Sequence, residues 1–246
     1  MIYKKVVTGQ ASRLTSVDHN ETYGRHILDK VVKNLKIEKC LDIGCGCGDD
    51  LSIVKKYYPQ AELYGVDFGN WNNDRLISLG IKPLVVNIET EKLSFADESL
   101  DLIIANQILE HTKEIFWINH EIFRCLKVGG SVFIGVPNVL SFHNRLLMLF
   151  GFHPTCNKMI SAHVRVFSKR DVALFYNEIG NNFCRLDKFY GSQFYPFPKS
   201  IARFLSKIFP ANAVASFYLL KKTDKYNNEF IKWPEENKLE TNYFLG

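Results

Sequence analysis

The chain has 246 residues, a formal net charge of +5, 46% hydrophobic and 23% charged residues, which fits one soluble α/β domain with decorations and excludes a disordered or fibrous chain. The charge permits an anionic partner or a membrane surface, but no dense Lys/Arg block argues for nucleic acid. The six cysteines form no CxxC pair, so neither a zinc ribbon nor a disulfide framework is indicated, and a reducing cytoplasm is expected. Met1 to Lys5 lack a signal-peptide core, and no run reaches the ~18 apolar residues of a spanning helix.

In chain order, Ile27, Leu28, Val31, Val32 and Leu35 fall at helical spacing, with Asp18 or Asn20 as cap. His19, Tyr23 and His26 share one face of that helix. Strand-like and helix-like runs then alternate: strand 39–43, helix 49–58, strand 62–67, helix 72–79, strand 83–87, strand 100–106, helix 112–126 and strand 131–136. On the helix 112–126, Ile115, Ile118, Ile122 and Leu126 form the core face and His120 is expected in solvent. Such alternation implies crossover connections and a doubly wound, mostly parallel sheet covered on both faces.

After Pro137 an insertion over the carboxyl edge of the sheet is expected at about 138–168, with one amphipathic piece at 142–150. A helix follows at 169–178, capped by Ser168 and ended by Gly180. Strands at 184–190 and 214–221 flank a basic, aromatic helix at 199–209, whose Ile201, Phe204, Leu205, Ile208 and Phe209 are expected to pack on the sheet edge or a second copy. Membrane-surface contact by this helix is the alternative. Residues 1–222 are read as one domain, with an N-terminal lid helix within 1–37, and 223–246 as a polar tail, partly disordered or draped on the domain.

The most informative stretch is Leu41-Asp42-Ile43-Gly44-Cys45-Gly46-Cys47-Gly48-Asp49-Asp50. Alternate glycines between a strand and a helix let a ligand lie directly on the backbone. The dinucleotide fingerprint needs a glycine where Asp49 stands, and Asp49 and Asp50 would repel a pyrophosphate. Cys45 and Cys47 read as small residues tolerated by a tight turn, and no metal is expected.

Leu63-Tyr64-Gly65-Val66-Asp67 ends the second strand with an acid that can accept two hydrogen bonds from a ribose. Further on stand the run from Ser94 to His111, containing Asn106-Gln107-Ile108-Leu109-Glu110-His111, and Leu126-Lys127-Val128-Gly129-Gly130 continuing to Asn138. With these motifs the chain resembles the class I S-adenosylmethionine-dependent methyltransferases of the type 11 kind over about 40–180.

The resemblance implies a seven-stranded Rossmann-like methyltransferase fold with a cap inserted after the fifth strand. It implies S-adenosylmethionine as cofactor and S-adenosylhomocysteine as product. Asp42, Gly44, Cys45 and Gly46 would line the methionine part, Asp67 the ribose hydroxyls and Phe68 the adenine. Asn87, beside Ile88, stands where the family commonly has an Asp that accepts from the adenine amino group. Asn106 and Gln107 would lie beside the transferable methyl.

Asn144-Arg145-Leu146 and His163-Val164-Arg165-Val166-Phe167-Ser168 resemble small methyltransferases of bacterial capsule and O-antigen gene clusters, and a methionine-biosynthesis-associated relative. That implies an O-methyltransferase of a sugar, nucleotide-linked or phosphoramidate-type precursor of a surface polysaccharide. A lipid, quinone or other small metabolite is the alternative acceptor, and a non-catalytic cofactor-binding regulator of amino-acid metabolism the alternative class. A hydroxyl acceptor must lose a proton, for which His163 or His111 is the candidate base. Tyr23, Arg145 and Arg165 are the candidate acceptor-binding residues, the arginines for an anionic group; the alternative for His163 and Arg165 is that they anchor the cap to the sheet by hydrogen bonds. The expected partner is this small molecule alone, without stable membrane insertion, and the protein is expected as a monomer or homodimer.

Overall fold

The computed structural model describes residues 19–241, with side chains from Glu21 onward. The caps expected from Asp18 and Asn20, and the side chain of His19, lie outside that description. Seven strands form one sheet: β1 (Lys39–Ile43), β2 (Glu62–Asp67), β3 (Lys82–Val85), β4 (Leu100–Asn106), β5 (Leu126–Pro137), β6 (Cys184–Ser192) and β7 (Ala215–Lys222). Their order is β3-β2-β1-β4-β5-β7-β6, parallel throughout except that β7 runs against both neighbours. This is the doubly wound, mostly parallel sheet that the alternation implies, with the seven strands that the resemblance implies.

Helices cover both faces because alternate strand residues are apolar on each side. On one face α2 (Arg25–Val32) and α3 (Asp49–Tyr57) bury Ile27, Leu28, Val31, Leu51 and Val54 against Cys40, Leu102, Ile104 and Phe217. On the other α5 (Ile115–Cys125) and α7 (Lys169–Gly180) bury Ile118, Ile122, Val172 and Tyr176 against Leu41, Ile43, Ile103 and Val132. The expected core face of α5 is buried, except that Leu126 already begins β5. Ser168 caps α7 by accepting from the Asp171 N–H, but the helix runs through Gly180 and ends at Asn181.

The single N-terminal helix expected from periodicity is broken in two. A four-residue α1 (His19–Thr22) stops before Gly24, which sits at φ 57° and begins α2. A Cβ at Gly24 would lie 2.3 Å from the Phe217 ring, so packing as well as the left-handed angle demands glycine there. The break takes Tyr23 and His26 off a shared helical face. His26 lies instead 3.8 Å from the buried Glu21 carboxylate.

α4 (Asn73–Ser78) connects β2 to β3, and between β3 and β4 the chain runs through a loop tied down by Arg124 of α5, which donates to the Leu93 and Phe95 carbonyls. The cap after β5 contains α6 (Phe142–Leu149) and is closed at its base where Val139 N–H donates to the Phe167 carbonyl. The basic helix is α8 (Lys199–Ile208). It lies against the edge strand β6 as expected, but chiefly through small residues: Ala202 and Ser206 are buried and Leu205 half-buried, whereas Ile201, Phe204, Ile208 and Phe209 are about half exposed. Lys199 and Arg203 pair with the buried Glu21 of α1, which turns the small-residue side inward.

Beyond Lys222 the polar stretch carries α9 (Glu229–Glu236), with Tyr226 and Phe230 buried among Phe123, Phe175, Tyr176 and Phe183. His120, expected in solvent, is half-buried and bonded to the Tyr226 hydroxyl at 3.0 Å. The six cysteines are all free thiols. Among the described residues no helix is long and apolar enough to cross a membrane. Because Phe230 is fully enclosed by aromatic rings, Phe230→Ala should lower unfolding free energy by about 3–5 kcal/mol in urea denaturation, and a loss below about 1 kcal/mol would contradict that packing.

Candidate active site

The site is built at the carboxyl ends of the parallel strands. From β1 the chain turns through Gly44, Gly46 and Gly48, all left-handed, into α3. The Gly44 and Cys45 N–H groups donate to the Val66 carbonyl at 2.8 and 3.1 Å, which ties the loop to β2. At Gly44 a Cβ would strike Ile108, whereas at Gly46 it would meet nothing within 4 Å. Gly46 therefore presents bare backbone to open space.

Asp67, ending β2, faces the same space. One carboxylate oxygen accepts the Gly46 N–H at 3.3 Å and the other the Phe68 N–H at 2.9 Å. Each oxygen retains further lone-pair capacity for a ligand hydroxyl. Phe68 is 74% exposed and stands edge-on to the exposed Trp71, ring centroids 4.8 Å apart. The pair forms an aromatic wall directly after Asp67. Trp71 escaped sequence reasoning, although an aromatic three residues after Phe68 was its signal.

Asn87 is exposed, and its side-chain oxygen accepts the Glu89 N–H at 3.1 Å, while Ile88 is half-buried against the core. Cys45 is buried beside Gly65, and burial, with Asp42 and Asp67 nearby, pushes its thiol up to about 12. It stays a neutral small side chain. Burial likewise holds Asp42 well above the usual carboxylate range, with Asp50 adding to the effect and Arg25 opposing it.

Asn106 ends β4 in a buried network that the sequence did not disclose. Its Nδ2 donates to Asp50 Oδ2 at 2.7 Å and to the Tyr23 carbonyl at 2.9 Å. Arg25 Nε donates to Asp50 Oδ1 at 3.0 Å, and its guanidinium lies over the Tyr23 ring. Tyr23 thus enters the site through its carbonyl. Gln107 follows at φ 57°, an angle uncommon outside glycine, with its side-chain nitrogen buried and without a hydrogen-bond partner.

The next turn brings His111 to His163, ring centroids 4.8 Å apart and nearly perpendicular. The cap holds the pair together: Val164 and Arg165 N–H groups donate to the Glu110 carbonyl, and Arg165 Nε donates to the Thr112 carbonyl. A second guanidinium nitrogen bonds the Lys113 carbonyl. Arg165 therefore fastens the cap, and it lines a separate cavity of about 430 Å³ behind this turn. Arg145 is exposed with its Nε on the Leu140 carbonyl.

Glu110, missed by sequence reasoning, is 1% exposed beside the two histidines, and burial pushes its carboxyl up to about 8. Its signal was only its place before His111. His111 lies below the ordinary imidazole range because of burial and the neighbouring His163.

His163 also lines a cleft of about 1720 Å³ under the cap. By area the cleft walls are mainly apolar, with Phe142, Leu146, Phe150, Phe152, Tyr195 and Phe197, and polar groups such as His143, Thr155, Asn157, Lys158, Gln193 and Lys199 are set among them. Among the lining residues are none of the glycine loop, and neither Arg145 nor Arg165.

A family profile described as a methyltransferase domain matches residues 41–134, from β1 to β5. Sterol 24-C-methyltransferase erg-4 of Neurospora crassa is 27% identical over 112 residues, 43% of this chain and 29% of that one. Demethylmenaquinone methyltransferase of Lactobacillus johnsonii is 26% identical over 154 residues, 55% and 61% of the two chains. The chain spans about a quarter to three fifths of the length of the curated relatives it matches.

Among solved structures, the Burkholderia thailandensis 1,6-didemethyltoxoflavin-N1-methyltransferase, solved with S-adenosylhomocysteine bound, superposes with a TM-score of 0.57 at 14% identity, covering 90% of this chain and 87% of that one. The fold is that of the Rossmann-like methyltransferases.

The Asp50 network has a measurable signature. Burial, the main influence, holds the Asp50 carboxyl above its ordinary value, while Asn106 and Arg25 pull it down. A raised folded-state value means that stability is fullest below the unfolded value of about 4 and falls as pH rises through the folded one. Removing Arg25 raises the folded value further. Arg25→Ala should therefore cost about 2 kcal/mol at pH 7 and distinctly less near pH 4 in denaturant unfolding, and equal losses at both would contradict it.

Proposed function

We propose that the protein transfers a methyl group from S-adenosylmethionine to an amphipathic small molecule bound under the cap. The observation that carries this reading is the open left-handed turn at Gly46, hydrogen-bonded to Asp67 and followed by the exposed Phe68 and Trp71. A Cβ-free backbone, a carboxylate and an aromatic wall in that sequence fit an amino-acid part, a ribose and an adenine.

When bound, S-adenosylmethionine supplies a methyl group already activated on a sulfonium. The chain's task is then to orient the cofactor and hold a nucleophile in line. Asp67 accepts from the ribose hydroxyls, Phe68 and Trp71 offer their faces to adenine, and Gly44, Cys45 and Gly46 bed the methionine part beside Asp42. Asn106 and Gln107 stand where β4 meets that part. The His111–His163 pair links this strand end to the cleft, so an acceptor's reacting group belongs there.

Two features support an acceptor with a large apolar portion. At about 1720 Å³ the cleft exceeds the ~300–1,000 Å³ usual for small-molecule pockets, and its walls are mainly aromatic and aliphatic. The half-exposed apolar face of α8, beside Lys199 and Lys207, together with exposed Met159 and Ile160 of the cap, suits contact with a membrane surface from which such an acceptor could be drawn. Two matched relatives are named for sterol and demethylmenaquinone substrates. A soluble nucleotide-linked sugar would leave the apolar walls unmatched and would find Arg145 and Arg165 away from the cleft. A lipid-linked sugar or a quinone-like molecule meets both ends.

Incubation with methyl-labelled S-adenosylmethionine and each acceptor class tests the reading. Label should enter lipid-linked or quinone-like acceptors, and His163→Ala should lose most turnover while keeping cofactor affinity. Label confined to soluble sugars would overturn the acceptor class, and label in neither would overturn the enzyme.

A further inference from the structure

We propose that Glu110, His111 and His163 form a binding site for one divalent transition-metal ion, with an open coordination position toward the cleft. One ligand atom from each side chain lies within 4.8 Å of the other two. A set this close converges on a single ion with modest side-chain rotation.

The tautomers are fixed by the backbone. His163 Nδ1 lies 2.7 Å from the Cys156 carbonyl and His111 Nδ1 3.3 Å from that of Ala162. A carbonyl only accepts, so each Nδ1 carries the proton and each Nε2 presents a lone pair. Metal-bound histidines are held the same way, with the second ring nitrogen donating to a carbonyl or carboxylate.

Glu110 is an independent sign. Its side chain is 1% exposed, and its Oε2 has no hydrogen-bond partner. A buried carboxyl oxygen without a partner is costly, and a cation, binding as the proton leaves, would satisfy it. The pieces are also held in place, because the same residue's carbonyl takes the Val164 and Arg165 N–H groups that carry the His163 segment.

Two imidazoles and one carboxylate suit zinc, manganese or iron(II) better than magnesium, which prefers oxygen ligands. Three protein ligands leave a position for another molecule. His163 lines the cleft, so that position opens toward the acceptor. On the methyl-transfer reading above, on which this clause alone rests, an acceptor hydroxyl bound there would be oriented and acidified, its proton leaving to solvent through the cleft.

The 246-residue chain, stripped with a chelator and titrated calorimetrically with Zn²⁺, should bind one equivalent, and Co²⁺ should give visible absorption bands of nitrogen and oxygen ligation. Glu110→Gln, nearly the same shape, and His163→Ala should each weaken Zn²⁺ binding about tenfold or more and diminish the Co²⁺ bands. Cys47→Ser, which removes the exposed thiol, should change neither. Absence of binding, or binding unaltered in both Glu110→Gln and His163→Ala, overturns the site. Binding of the ion without methyl transfer to any acceptor would overturn the activity proposed above and leave the metal site standing.

Discussion

The buried Asp50 carboxyl is the point on which the carboxyl edge of the sheet depends. It sits at the start of α3, takes a hydrogen bond from Asn106 at the end of β4 and an ion pair from Arg25 at the start of α2. Three segments far apart in sequence are thereby fixed to each other at the mouth of the glycine loop. The loop's left-handed turns are useful only if α3 begins where it does, and Asp50 sets that position against the sheet. Arg25 also reaches Asp49, which Arg75 holds from the other side, so the acidic pair that excluded a pyrophosphate serves as structural mortar.

The cap uses a similar device with neutral groups. Asn144, fully enclosed, donates to the Asn138 carbonyl and accepts from Thr155, so α6 and the following loop are referenced to the end of β5. From there the segment returns to lay His163 on His111. Backbone carbonyls rather than charged partners hold both rings, which leaves their outward nitrogens for chemistry. The wall of the cleft and the turn after β4 thus share one pair of side chains.

What could be read from the sequence follows from range. The strands β1 to β5 were legible because alternating apolar runs and turn residues are local, and Asp67 was legible because a strand end fixes its direction. The break at Gly24 was not, since its cause is the Phe217 ring, nearly two hundred residues away. The packing of Phe230 was hidden inside a polar stretch whose partners lie on α5, on α7 and in the turn before β6. Arg165 reads from its charge and place either as an anion clamp or as an anchor of the cap, and its bonds to main-chain carbonyls, which leave no mark in a sequence, make it the anchor. Glu110 was invisible for a related reason: nothing local says that a carboxylate after an apolar run will be sealed from water.

The cofactor site is the claim from which the rest follows, and calorimetric titration with S-adenosylhomocysteine tests it most directly. The wild-type protein should bind in the low-micromolar range, roughly −8 kcal/mol. Asp67→Ala should bind about 10- to 150-fold more weakly, the 1.5–3 kcal/mol of a charge-assisted hydrogen bond. Absence of binding to the wild-type protein would contradict the site, and equal affinity in Asp67→Ala would contradict its geometry.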